Sequence, residues 1–432
     1  MPNNGEWWQT ARRSTPARSL PGGVTRFVST EASGGIVLLA AAVVALVWAN
    51  SPWQGSYETL WHTRVAVELG SIRFDEDLRH FVNDGLMALF FLVVGLEIKR
   101  ELIRGELADM RVAALPVFAA LGGMLVPPIL YLIIVGGGPG SDGWGIPMAT
   151  DIAFALGVLA LLGTRVPASL KVLLLTLAIV DDIGAIVVIG IFYSDDISFI
   201  ALLVAVAGLV VTAALLRTRV DWPPLYAALG LATWYATYRS GIHATLAGVA
   251  IGLITPANPL APSDSVRRWA QDLSDEPTAA EVRQVAIIGR ESVSPAEHLT
   301  ERLHSTTSFL ILPVFALANA GVEFRSGMLS ASGATAVAVG VAVGLIVGKI
   351  AGILAGAWLG VRLGLATLPS EVRWVHLAGI GALGGIGFTV SLFITGLAFP
   401  DAQLADAAKV AILGASVVSA VIGATVLAAR RS

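Results

Sequence analysis

Long apolar runs alternate with short polar connections along almost the whole chain. They fall near residues 34–50, 81–97, 112–135, 144–163, 168–193, 197–216, 222–238, 241–255, 306–323, 332–358, 374–398 and 404–429. Runs of this length and composition read as membrane-spanning helices. Together they predict an all-α polytopic membrane protein with twelve transmembrane helices. The polar remainder divides into a segment 1–32, a loop at 51–80 and a longer loop at 256–304, so that 33–432 forms one transmembrane domain.

The pattern changes period in one place. In TRVAVELGSIRFDED, Val65, Val67 and Leu69 alternate with polar residues, Gly70-Ser71 supplies a turn, and Ile72 and Phe74 resume the alternation. This predicts a β-hairpin outside the membrane. A lone hairpin is marginal in water. It either packs on its own loops or offers an edge to a second copy. The loop at 256–304 is polar and mixed in charge, and AEVRQVAIIGR within it suits a short amphipathic helix on the membrane surface. It holds no phosphate loop, metal cluster or nuclease motif and reads as a cytoplasmic linker.

Against this background, charges inside apolar runs stand out. KVLLLTLAIVDDIGAIVVIGIFY carries Asp181 and Asp182, adjacent and central. One ionised residue at the centre of such a helix costs roughly 2.5–3.5 kcal/mol on insertion scales, and two about 5–7 kcal/mol. A protonated pair that merely hydrogen-bonds other helices would meet that cost, as would a pair facing an ion or proton pathway. Asp84, Asp151 and Lys349 also fall within apolar runs. Four acids and a base inside one membrane protein point to an ion or proton pathway. Glycine adds a second signal. The fourth run follows GGGPGSDGWGIP, with Pro147 close before Thr150-Asp151, and the eleventh reads HLAGIGALGGIGFTVSLFITG. Such clusters permit either close helix packing or an interrupted span. Paired interrupted segments mark a transporter's substrate site near the midplane. An acid such as Asp151 would compensate helix N-termini and a base such as Lys349 helix C-termini. Glu97, Arg100 and Glu101 share one helix face, as a solvated helix end or as a charged funnel mouth. His243 is a single histidine in a short apolar run.

Composition agrees with the pattern. The 432 residues are 55% hydrophobic and 14% charged, with a mean hydropathy of +0.76. A soluble protein carries about 25% charged residues. There is no cysteine, which excludes disulfides, thiolate metal sites and cysteine nucleophiles. The net charge of −3 gives no reason to expect a nucleic-acid partner. The N-terminal segment is too long and polar for a cleaved signal peptide. With the N-terminus in the cytoplasm, only Arg64, Arg73, Arg79, Arg239, Arg325 and Lys409 fall outside, and every other Lys and Arg except the intramembrane Lys349 falls inside. That asymmetry, with an even span count, places both termini in the cytoplasm.

Seven stretches, in order, carry a family resemblance: NDGLMALFFLVVGLEIKREL, ATDIAFALGVL, LTLAIVDDIGAIVVI, SGIHATLAGV, LPVFALANAGV, GLIVGKIAGI and GGIGFTVSLFITG. As a set, from about Ser33 to Ala428, they resemble the NhaA-type sodium/proton antiporters. The resemblance implies twelve helices with inverted repeats, the fourth and eleventh interrupted and crossing. It implies that Asp181 and Asp182 bind sodium or lithium and the exchanged protons. Thr150 and Asp151 match the broken-helix pair, and Lys349 a lysine that pairs with an aspartate of the motif. Asp84, Glu97, Arg100, Glu101 and His243 match positions tied to pH response or to the access funnel. The segment 56–79 matches a dimerisation hairpin, implying a homodimer in a bacterial plasma membrane. Two features depart from the family. The 256–304 loop is long. EHLTERLHSTTSF keeps His304 but has Ser305 and Thr306 where the family often has Pro and Trp.

Hard cations prefer oxygen ligands, and carboxylates that hold sodium also hold protons. Cytoplasmic sodium would exchange for external protons by alternating access, in an electrogenic and pH-regulated cycle. No covalent step or cofactor is needed, so the chain is not expected to be an enzyme. An intramembrane aspartyl protease would need its acids on different helices and a GxGD motif, which is absent. A retinal-type pump would use Lys349 as a Schiff base. A sodium-coupled organic-anion symporter on a similar fold is the nearest competing transporter.

Overall fold

A computed structural model describes residues 22–69, 72–163, 166–194, 196–218, 220, 222–259, 268, 278–325 and 329–429. Each of the twelve apolar runs is helical. In chain order the helices are α1 (Gly22–Ala49), α2 (Gln54–Trp61), α3 (Leu78–Arg104), α4 (Met110–Val135), α5 (Ile152–Leu162), α6 (Ala168–Phe192), α7 (Phe199–Arg217), α8 (Pro223–Tyr238), α9 (Thr245–Ile254) and α10 (Ala279–Glu291). Then come α11 (295–319), α12 (Ala334–Arg362), α13 (Trp374–Gly384), α14 (Phe388–Ala398) and α15 (Ala402–Ala428). Among the described residues, seven helices are long and apolar enough to cross a bilayer, and up to nine if each of two bent pairs counts as one span. The outward faces agree with a lipid setting. On α7, Phe199, Ile200 and Leu203 are 70–81% exposed, which only an apolar surrounding tolerates over so large a patch.

Both glycine-rich runs are interrupted. The fourth is a 3₁₀ turn at Ser141–Met148, an extended step through Ala149 and Asp151, and then α5. The eleventh is α13, a break at Gly385–Gly387 and α14, bent by 47°. The breaks are joined by hydrogen bonds: Asp151 N donates to the Ile386 carbonyl at 2.6 Å, and Ser391 Oγ to the Ile146 carbonyl at 2.7 Å.

The helix that carries Lys349 reaches the centre through close packing. On α12, a Cβ at Gly352 would lie 2.2 Å from the Gly122 carbonyl of α4, and one at Gly356 2.0 Å from the Phe118 carbonyl. Only glycine lets the backbones approach this far, as in small-xxx-small interfaces. One turn earlier, Lys349 follows a π turn at Gly344–Gly348 and is fully buried.

The hairpin forms as expected, with β1 (Arg64–Leu69) antiparallel to β2 (Ile72–Asp77) and Leu69 paired with Ile72. The turn at Gly70-Ser71 lies outside the described residues, as do residues 1–21 of the N-terminal segment. The hairpin is docked on its own chain. Phe74 sits among Phe81, Trp234 and Tyr238 at ring separations of 5.6–6.2 Å, and Tyr238 donates to Glu76 at 2.5 Å.

Helix boundaries differ from the sequence reading in two places. Residues 22–32 belong to α1. Residues 295–304 belong to α11 and not to the linker, since Ser294 caps a polar first half with its hydroxyl accepting from Glu297 N at 3.2 Å. A polar helix that packs on α3 escapes an apolar-run search. AEVRQVAIIGR is helical in α10.

Candidate functional site

Adjacent residues on an α-helix point about 100° apart, so Asp181 and Asp182 face different surroundings. Both are buried, at 1% and 7% exposure. Asp181 Oδ2 accepts from Lys349 Nζ at 2.5 Å and from Thr150 Oγ1 at 2.5 Å. Thr150 Oγ1 also accepts from Lys349 Nζ at 3.0 Å and lies 2.8 Å from the carbonyl of Gly384, the last residue of α13. The other carboxylate oxygen, Asp181 Oδ1, is buried without a hydrogen-bond partner. Buried polar atoms are normally paired, which makes this oxygen a free ligand position.

Asp151 serves the opposite helix ends. Its Oδ1 accepts from Phe154 N at 3.0 Å, capping α5. Its Oδ2 accepts from Thr389 N at 3.0 Å and Thr389 Oγ1 at 2.6 Å, at the start of α14. One carboxylate therefore satisfies amides at two helix N-termini, where negative charge is favourable. Lys349 reaches the C-terminal carbonyl of α13 only through Thr150.

Asp182 faces a cavity of about 50 Å³, whose wall includes Glu97, His304, Thr150 and Asp151. Roughly 10–15 Å³ of such space holds one water, so a few waters or a partly hydrated ion fit. Apolar walls come from Phe90, Val93 and Val94 of α3.

A buried lysine–carboxylate pair, a second carboxylate on a water-sized cavity and two broken helices joined by hydrogen bonds thus meet in one region. The family model for Na+/H+ antiporter 1 matches residues 25–427. The chain belongs to the Na+/H+ antiporter 1 family. The Na(+)/H(+) antiporter NhaA 3 of Frankia alni is 47% identical over 406 residues, covering 94% of this chain and 88% of that relative. The Na(+)/H(+) antiporter NhaA of Rhodopirellula baltica is 48% identical over 408 residues, covering 92% of each. Among solved structures, the sodium proton antiporter MjNhaP1 of Methanocaldococcus jannaschii matches with a TM-score of 0.49 at 14% identity, over 94% of this chain and 98% of its own.

In this antiporter-family chain the expected site residues divide into two sets. Thr150, Asp181 and Lys349 touch, and Asp151, Asp182, Glu97 and His304 share the cavity wall with Thr150. Glu97 Oε1 lies 3.9 Å from His304 Nδ1. Asp84, Arg100, Glu101 and His243 are not on that wall. Asp84 sits in a π turn at Val82–Leu86, where its carbonyl accepts from Trp234 Nε1 at 2.7 Å. Glu101 folds over Gly105 and accepts from Glu106 N at 2.7 Å, closing the loop after α3. His243 Nε2 contacts the Tyr193 carbonyl at the end of α6.

Sequence reasoning missed Thr389, which binds Asp151, and Thr307 and Ser308, which line the cavity. A hydroxyl two residues after Gly387, the last glycine of the 384–387 cluster, was the available sign for Thr389. Thr307 and Ser308 gave a weaker one, as two polar residues at the start of an apolar run.

Proposed function

We propose that this chain is a sodium/proton antiporter of a bacterial plasma membrane, exchanging cytoplasmic sodium or lithium for external protons by alternating access. The observation that carries the reading is the buried Asp181 carboxylate, with Oδ2 on Lys349 and Oδ1 unpartnered, beside Asp182 on the cavity. Oxygen atoms of Asp182, Asp181 and Thr150 suit a hard monovalent cation. The same carboxylates accept protons, so sodium displaces protons from the cytoplasmic side and protons displace sodium from the outside. Titration belongs to the coupled pair and not to either residue. Lys349 holds Asp181 while the site is empty of sodium, and Asp151 and Thr150 keep the two helix breaks in register.

The wider architecture follows the same proposal: twelve spans in inverted repeats, α5 with its 3₁₀ turn crossing α13–α14, and both termini cytoplasmic. Glu97 and His304 form the cytoplasmic mouth of the cavity, where pH acts on access, with Asp84, Arg100, Glu101 and His243 as structural supports of the funnel. The 56–79 segment, through its hairpin, joins two copies into a homodimer.

The test is sodium-driven dissipation of a pH gradient in everted membrane vesicles. Asp181→Asn and Asp182→Asn should each abolish it while the protein still inserts. Wild-type rates in either variant would reject the assignment.

A further inference from the structure

The cavity beside Asp182 has one uneven wall. Beyond Glu97 its α3 side presents only Phe90, Val93 and Val94, whereas its α11 side presents His304, Thr307 and Ser308 before Leu312. The i, i+3, i+4 spacing of these three puts them on one helix face. Thr307 and Ser308 lie about 4.5–6 Å further along the helix axis than His304, at 1.5 Å per residue. Both are buried, at 4% and 3% exposure. They begin a π turn at Thr307–Ile311, a local widening frequent at functional sites. Gly34 of α1 leaves the room that Ser308 needs: a Cβ there would come within 2.9 Å of Ser308 Cβ.

The other hydroxyls on this wall are committed. Thr150 is bound to Asp181 and Lys349, and Thr389 to Asp151. Thr307 is bonded to the backbone of its own helix and not to a carboxylate of the site. Its proton goes to the Leu303 carbonyl at 2.9 Å, so the oxygen has only lone pairs left to offer. Such an oxygen can receive a cation but cannot donate to an anion. An ion that leaves the Glu97–His304 mouth for Asp182 along an apolar wall loses water and must replace it with oxygen.

We propose that Thr307 and Ser308 form a hydroxyl step between the Glu97–His304 mouth and Asp182, replacing part of the hydration of the entering sodium ion and setting the apparent sodium affinity. The proposal rests on the antiporter reading above and adds two specificity-determining residues to it. Asp181 and Asp182 hold the charge of the bound ion, and the hydroxyls keep contact with it on the side of the mouth, in place of water.

The experiment uses the full-length protein in proteoliposomes, with sodium-driven proton movement measured at one fixed alkaline pH. The Thr307→Val/Ser308→Ala double variant keeps the shape and removes both oxygens. Its Michaelis constant for sodium should rise about three- to tenfold, the equivalent of one net polar contact, with the maximal rate nearly unchanged, as for a loss of uniform binding. Thr307→Ser should keep the wild-type constant, and Ser308→Ala and Thr307→Val alone should each raise it part of the way. A double variant whose constant stays at the wild-type value would overturn the proposal. So would a reduced maximal rate at unchanged constant, which would mark a packing role. If the double variant does not insert, wild-type constants in both single variants would overturn it equally. Absence of sodium-driven exchange in the wild type would instead remove the antiporter reading and leave its own distinct signature.

Discussion

Lys349→Met keeps the length of the side chain and removes its charge, stranding the Asp181 carboxylate. The pair is 2.5 Å apart with both side chains at 0% exposure, and Thr150 Oγ1 lies 3.0 Å from the same ammonium. Removing one partner of a buried ion pair costs about 3–5 kcal/mol, because a charge is left without a counterion in a low-dielectric site. Removing both is often close to neutral. Lys349→Met and Asp181→Asn should therefore each lower stability strongly, and the double variant should recover most of the loss. The coupling read from the cycle should be at least about 3 kcal/mol. Thermal unfolding in detergent, followed by the fluorescence of the 11 tryptophans, measures it. Acid adds a sign. Lowering the pH neutralises a stranded carboxylate, so the loss in Lys349→Met should shrink toward acid. The loss in Asp181→Asn should shrink toward alkali, where the stranded ammonium can give up its proton. Additive single effects, with a double variant at the sum of the two, would refute the pair as the group that holds this site.

If sodium and protons share one site, the apparent Michaelis constant for sodium should rise about tenfold per pH unit on the acid side for each proton displaced; a constant that stays flat while the maximal rate collapses would instead indicate a separate pH switch. Deleting the hairpin strands should leave a monomer that still exchanges ions, read by size exclusion with light scattering, and an unchanged dimer would reject the hairpin as the joint between copies.

Much of this protein was legible without coordinates because a bilayer imposes a one-dimensional code. Apolar length locates helices, and a charge inside such a run is expensive wherever the run packs. That is why Asp181, Asp182, Asp151 and Lys349 stood out, and why the glycine clusters marked both breaks. The alternation from Val65 to Phe74 likewise specified a hairpin, since period two has no other local solution. Contacts between distant segments obey no such local code. Whether Lys349 meets Asp181 or Asp182 depends on how closely Gly352 and Gly356 let α12 approach α4. That Asp151 caps α5 and α14 together depends on two breaks, more than 230 residues apart, meeting in space. Polar helix 295–306 hid in an expected linker because its apolar partner is another helix and not lipid. Residues 307 and 308 read as the edge of a span until packing turned them toward Asp182. The sequence determines which segments enter the membrane and which charges must be answered there; only the tertiary structure decides which group answers each charge, because burial leaves a carboxylate whatever partner the packing brings within about 3 Å.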